Sequence, residues 1–326
     1  MGNIQYGLID TKVYAGRIKD EEQLLCSSSG GAFMALSDVF LNEGNAVVCA
    51  IYNYEKHTAE FQLVTTKEER DTARGSKYMQ SKPGTVYKQA ALWLKSHPEK
   101  QLLFVGMGCQ AEGFRKFAEI AGVRDRVWIV DIICHGSPSP KLWREYAASI
   151  ENKYNGSISG LTFKDKRNGW KKPTAKVDIG DTEIILKDYV RVFYNRCALR
   201  PSCHVCPFAT IERKTDITIG DYWGIDEKMP DFYDPNGNSM FLIHTNRGQD
   251  FFEKAKDSLI FRESNIMDCW QPNLEKPTEV SPLREKFWLD YRRKGIDYTM
   301  KKYGTVSWKT RVKNKVIKII RGGIAK

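Results

Sequence analysis

Cys197, Cys203 and Cys206, followed at once by Pro207, are the densest concentration of metal-ligating side chains in the chain. Five residues separate the first pair and two the second. A short loop with that spacing can turn three thiolates toward three corners of an iron–sulfur cluster, much as ferredoxin-type sites do. The fourth ligand has to come from another segment, and Cys134 and Cys109 both fall where strands are expected to end. The same three cysteines with His204 or a fourth cysteine would also serve zinc, although structural zinc sites usually pair two knuckles and this loop supplies one.

A second group could hold phosphate. Ser27, Ser28, Ser29, Gly30 and Gly31 lead into an apolar stretch with helical spacing over 31–43. A helix N-terminus with hydroxyls beside it and no side chains at the glycines offers backbone N–H groups to an anion. The plain alternative is a serine N-cap with a flexible lead-in. Further on, Gly106-Met107-Gly108-Cys109-Gln110 stands between a strand and a helix and resembles the start of a dinucleotide fingerprint, with Ala111 in place of the third glycine. Gly108 is therefore a candidate cofactor contact. Residues 216–224, DITIGDYWG, read as a strand running into an aromatic turn, for which core packing is the simple explanation. Cys49 and Cys269 suit small core positions, and His135, after Cys134, suits a strand-end cap.

These residues need a frame. Apolar runs predict strands over 46–54, 60–66, 101–105, 126–133, 157–164, 174–179, 182–186, 216–219 and 240–245. Helical periodicity predicts helices over 31–43, 67–72, 87–96, 109–120, 140–150, 188–195 and 248–257, with a loop over 197–209. Strand, helix and strand over 101–133 form a βαβ unit, which implies parallel pairing. The expected fold is α/β: a mixed, partly parallel sheet with flanking helices, a cluster-bearing loop and a basic C-terminal helix. In open parallel sheets ligands sit beyond the carboxyl ends of the strands, which is where Cys109 and Cys134 fall.

Composition narrows the function classes. The 326 residues allow one large domain or two medium ones. No apolar run approaches the roughly 18 residues of a membrane span. The first residues lack a signal-peptide core, and Gly2 lacks the Ser or Thr of a myristoylation signal. A soluble cytoplasmic protein is expected, and there the eight cysteines would be ligands, reactive thiols or core residues rather than disulfides. The net charge of +11 is concentrated: residues 298–326 hold nine Lys or Arg and no Asp or Glu, which leaves 42 basic against 40 acidic residues elsewhere. Nucleic-acid binding by the nearly neutral body is not expected. Residues 308–321 place Val312, Val316, Ile319 and Ile320 on one helical face among Lys and Arg, as in a docked helix or one drawn to an anionic membrane.

Taken together, SSSGGAF (27–33), RGSKYMQS (74–81), LFVGMGCQ (103–110), DIICHGSPSPKLW (131–143), FKDKRNGW (163–170), RPSCHVCPF (200–208) and DITIGDYWG (216–224) resemble, in order, the coenzyme F420 hydrogenase/dehydrogenase beta subunit family. The resemblance runs from about residue 12 to 255. It implies a flavin- and iron–sulfur-dependent oxidoreductase subunit, with a 4Fe-4S cluster on Cys197, Cys203, Cys206 and Cys134 and FAD near Ser28, Ser29, Gly30, Gly31, Ser76, Lys77 and Tyr78. Lys166 would face flavin phosphate or a reduced flavin anion. It also implies domains over 1–97 and 98–297 with a basic tail over 298–326. Bacterial relatives often accompany polysaccharide biosynthesis. Two departures stand out: the usual Gly-Thr-Pro-Cys-Gln loop is Gly106-Met107-Gly108-Cys109-Gln110, and the ferredoxin module that many relatives carry is not present. A separate ferredoxin-like electron carrier is the partner this implies. The rival reading is a non-enzymatic binding module stabilised by zinc or a cluster.

Overall fold

The apolar runs that predict strands assemble into one large sheet and one small one. The computed structural model describes residues 11–305. Its strands are β1 (Lys12–Ile18), β2 (Ala46–Asn53), β3 (Thr58–Val64), β4 (Leu102–Met107), β5 (Val127–Ile132), β6 (Gly160–Asp165), β7 (Thr174–Ile179), β8 (Thr182–Ile185), β9 (Ile217–Asp221), β10 (Ser239–Ile243) and β11 (Leu259–Ser264). Eight of them form a sheet in the order β11-β1-β10-β9-β5-β4-β2-β3, and β6-β7-β8 form a second sheet. The centre of the large sheet is parallel: β2 with β4, β4 with β5, and β5 with β9. Its flanks are antiparallel, with β3 on one side and β10, β1 and β11 on the other.

Burial explains the sequence of the parallel strands. Their side chains alternate between two covered faces, so each strand is apolar nearly throughout. Val47, Leu103, Val105, Val130 and Ile217 point to the layer formed by the helices Ala32–Asn42 and Asn246–Ala255. Ala46, Val48, Leu102, Phe104, Val127 and Ile129 point to the helices Val86–Ser96 and Gly108–Ile120. The small sheet packs with the helices Pro140–Tyr154, Lys187–Tyr194 and Arg284–Gly304 around Trp143, Val177, Tyr189 and Phe287. Strands from both sides of residue 97 share the large sheet.

The mixed α/β architecture is the one expected. Elements that were not expected include β11, the short helix Glu21–Cys26 and the long helix Arg284–Gly304, which bends at Gly295 where φ is 75°. The expected loop over 197–209 includes a 3-10 turn at Pro201–Val205. The expected basic helix over 308–321 lies outside the described residues. Among the described residues no helix is long and apolar enough to cross a membrane.

Candidate functional site

The parallel strands aim their carboxyl ends at a cavity of about 730 Å³. Gly106 and Met107 of β4, Ile132 of β5 with Ile133 and Cys134 beyond it, and Gly220 and Asp221 of β9 all line it. This is where open α/β sheets place ligands, and the volume falls within the range of cofactor pockets.

The serine–glycine segment forms one wall. The helix Ala32–Asn42 begins after Gly31 and has no side-chain cap, so the three serines do not cap it. Ser27 donates to the Gln23 carbonyl (2.7 Å) and Ser29 to the Asn238 carbonyl (2.9 Å). Ser28 accepts from both the backbone N–H (2.7 Å) and the hydroxyl (2.9 Å) of Ser76. With both lone pairs used, the Ser28 hydroxyl keeps only its own proton to donate. Gly31 has a left-handed φ of 80°, and a Cβ there would stand 2.6 Å from Ile18. Gly30 lies behind the wall: a Cβ would meet the Gly16 carbonyl and the Ser239 nitrogen, both at 2.5 Å. Ser28, Ser29 and Gly31 line the cavity, and Gly30 supports them.

The two lysines have structural contacts. Lys166 is buried and its Nζ donates to the Leu24 (2.7 Å) and Ser29 (2.6 Å) carbonyls, which pins the serine segment. Desolvation lowers its pKa to about 8. Lys77 donates to the carbonyls of Ala73 (2.6 Å), Arg74 (3.0 Å) and Gly75 (3.2 Å), which folds the 73–76 loop, and desolvation lowers its pKa to about 8 as well. Tyr78 stacks on Phe193 at 4.4 Å and meets the Tyr194 hydroxyl at 3.1 Å.

Cys109, Cys134, Cys203 and Cys206 come from three segments and lie near enough for their charges to act on one another. Desolvation first, then charge on Cys206 and Cys203, raises the Cys109 pKa. Cys134 lines the cavity; desolvation, then charge on Cys203, Cys109 and Cys206, pushes its thiol up to about 12. The Gly136 N–H donates to Cys134 Sγ at 3.3 Å, and a Cβ at Gly136 would stand 2.9 Å from Leu199 and 3.3 Å from Cys203. Cys197 is placed differently. It is fully buried in the core around Phe287, and its sulfur faces Ser281 Oγ (3.7 Å) and the Asn195 carbonyl (3.6 Å). Arg284 donates to the Leu199 and Cys197 carbonyls and so braces the cysteine loop. His204 Nδ1 donates to the Thr278 carbonyl at 2.8 Å. Among the described residues no three His, Cys, Asp or Glu side chains are grouped for a single metal ion.

Gly108 faces a smaller cavity of about 170 Å³, lined also by Asp131, Phe208 and Arg213. A Cβ there would stand 3.1 Å from both Asp131 Oδ2 and Phe208. Asp131 is buried and accepts from Arg213 Nη1 (2.5 Å), Thr215 (3.1 Å) and Thr218 (2.5 Å). This network ties the strand before Cys134 to the chain that follows Cys206. Sequence reasoning also missed the 271–279 loop, whose Asn273, Lys276 and Thr278 line the cavity mouth. Its only signal was the pair Pro272 and Pro277.

Residues 99–268 match the family model for the C terminus of the coenzyme F420 hydrogenase/dehydrogenase beta subunit. No curated protein matches the sequence. Among solved structures, a chain of the F420-reducing [NiFe] hydrogenase complex from Methanosarcina barkeri, in a xenon derivative, aligns with a TM-score of 0.53. The alignment covers 93% of this chain and 94% of that one, at 23% identity, and the likeness is one of fold.

Proposed function

The chain belongs to the coenzyme F420 hydrogenase/dehydrogenase beta subunit family, and from that membership we propose that it is an oxidoreductase subunit passing electrons between a 4Fe-4S cluster, FAD and a second carrier or substrate. The observation that carries this is Cys134 on the wall of a cavity at the carboxyl ends of parallel strands, with the charges of Cys109, Cys203 and Cys206 acting on it. Cys109, Cys134, Cys203 and Cys206 are the proposed ligands.

The donor chemistry of the cavity fits a flavin nucleotide. Ser28 offers an O–H proton, and the uncapped helix N-terminus at Ala32 offers backbone N–H groups with the positive end of the helix dipole, so together they suit a phosphate. Tyr78, backed by Phe193, offers an aromatic wall. Bound FAD would supply the conversion between two-electron and one-electron transfer. The protein holds the thiols, excludes water with Phe193 and Met79, and places the Gly136 N–H on the Cys134 sulfur, where hydrogen bonding tunes a cluster's potential.

A separate ferredoxin-like carrier is the proposed partner. Between two proposed ligands, Val205 is 76% exposed, so the thiol loop reaches the surface. The fold neighbour belongs to a hydrogenase complex of several components, which supports a partnered role here. The reducing cytoplasm, which keeps thiols free, is the compartment this reading requires. The basic residues near the C-terminus would add attraction to an anionic membrane or an acidic carrier.

Iron content of single Cys→Ser variants, purified without oxygen, tests the reading. The variants at 109, 134, 203 and 206 should lose iron and the broad visible absorbance, while Cys197→Ser should keep both. Unchanged iron in Cys203→Ser and Cys206→Ser, or zinc in the wild type, would overturn the cluster. Iron lost at 197 and kept at 109 would return the ligand set to the three loop cysteines with Cys134.

A further inference from the structure

Gln110 stands next to Cys109 in the first turn of the helix Gly108–Ile120 and lines the large cavity. It is 7% exposed. Its Nε2 donates to the Ser81 carbonyl at 2.8 Å. A carbonyl only accepts, so this bond decides which end of the amide is which. The backbone is held too, because the Tyr87 hydroxyl donates to the Gln110 carbonyl at 2.9 Å. Oε1 is buried and has no hydrogen-bond partner among the described residues. An unpaired buried acceptor bears a desolvation penalty, and few native groups are left so. Here the atom belongs to a side chain fixed at both ends on the wall of a cavity with room for a ligand.

We infer that Gln110 is a cofactor-binding residue whose Oε1 accepts the imide N–H of the flavin ring. The inference rests on the flavin reading above. An oxidised isoalloxazine ring carries one N–H, and its other polar ring atoms accept. A carbonyl oxygen such as Oε1 can therefore recognise the ring only at the imide. The position agrees with this: Gln110 adjoins a proposed cluster ligand, and the electron-carrying ring, rather than the adenine, has to lie near the cluster.

The test is anaerobic titration of the full chain with FAD and with FAD methylated at the imide nitrogen, which removes that proton. Wild type should bind FAD about tenfold more tightly than the methylated form, the worth of one buried hydrogen bond. Gln110→Met should bind FAD about tenfold more weakly than wild type and should not distinguish the two forms. Equal binding of both by wild type overturns the contact whether or not the variant folds. A Gln110→Met protein that still distinguishes them overturns it as well, since the discrimination then arises elsewhere. Wild type that binds neither form removes the flavin reading and this inference together, whereas equal, tight binding removes the Gln110 contact alone.

Discussion

Ser28 and Ser76 lie 48 residues apart in sequence, yet the Ser28 oxygen takes two hydrogen bonds from Ser76, one from its backbone and one from its hydroxyl. The pairing joins the serine–glycine segment to the 73–76 loop and turns the remaining Ser28 proton into a donor for a ligand. Ser28→Ala should therefore weaken FAD about tenfold in titration calorimetry, in line with one hydrogen bond to a charged group, and leave iron content unchanged. Unaltered FAD affinity would remove this segment from the phosphate site.

Lys166 acts on the same wall from behind. Its ammonium joins the Leu24 and Ser29 carbonyls, and Lys166→Met would leave both without that donor. Urea unfolding should show a loss of about 2 kcal/mol, with flavin occupancy falling alongside. A large fall in flavin occupancy with unchanged stability would mean that Lys166 meets the cofactor directly.

The Asp131–Arg213 pair should be the most sensitive point outside the cavity. Both side chains are buried, and removing one partner strands the other's charge. Arg213→Met should lower unfolding free energy by about 3–5 kcal/mol and loosen the segment after Cys206. A loss under 1 kcal/mol in urea titration would show that Thr215 and Thr218 satisfy Asp131 without the guanidinium.

His244 gives that network a pH dependence. Thr218 spends its proton on Asp131, so His244 Nε2, 2.7 Å away, must donate, and the ring is neutral with Nδ1 unprotonated. Burial lowers its pKa from 6.5 to about 4. The unfolded chain takes up this proton near pH 6.5 and the folded protein only near 4. The contribution is thus fully present above pH 6.5 and lost as pH falls toward 4, by roughly 3 kcal/mol in all. Stability measured across that window should fall less steeply in His244→Asn than in wild type. Equal slopes would contradict the assignment.

The parallel core was legible because strands buried on both faces leave long apolar runs, as at 101–105 and 126–133. The edge strand β11 was not, since most of its LIFRES side chains are partly or fully exposed. The helix Arg284–Gly304 escaped for a related reason: its bend at Gly295 breaks the periodicity that would have signalled it. In the site, spacing made Cys197 a companion of Cys203 and Cys206. The chain turns at Arg196, where φ is 64°, and buries Cys197 against Ser281. Cys109 opens the helix after β4 and Cys134 follows β5, the neighbouring parallel strand, so the strand-end positions expected for both are the ones observed. For the two lysines, sequence supplied positive charges near a cavity, but only the fold shows that carbonyls of the loops take them up.

Reductive titration of the anaerobically purified protein, loaded with FAD, measures the proposed pairing of cluster and flavin in one experiment. The protein should take up about three electrons per chain, two at the flavin and one at the cluster, with the flavin bleaching and the broad iron–sulfur absorbance fading in the same titration. Uptake of about two electrons with no iron–sulfur signal, or no uptake at all, would contradict it.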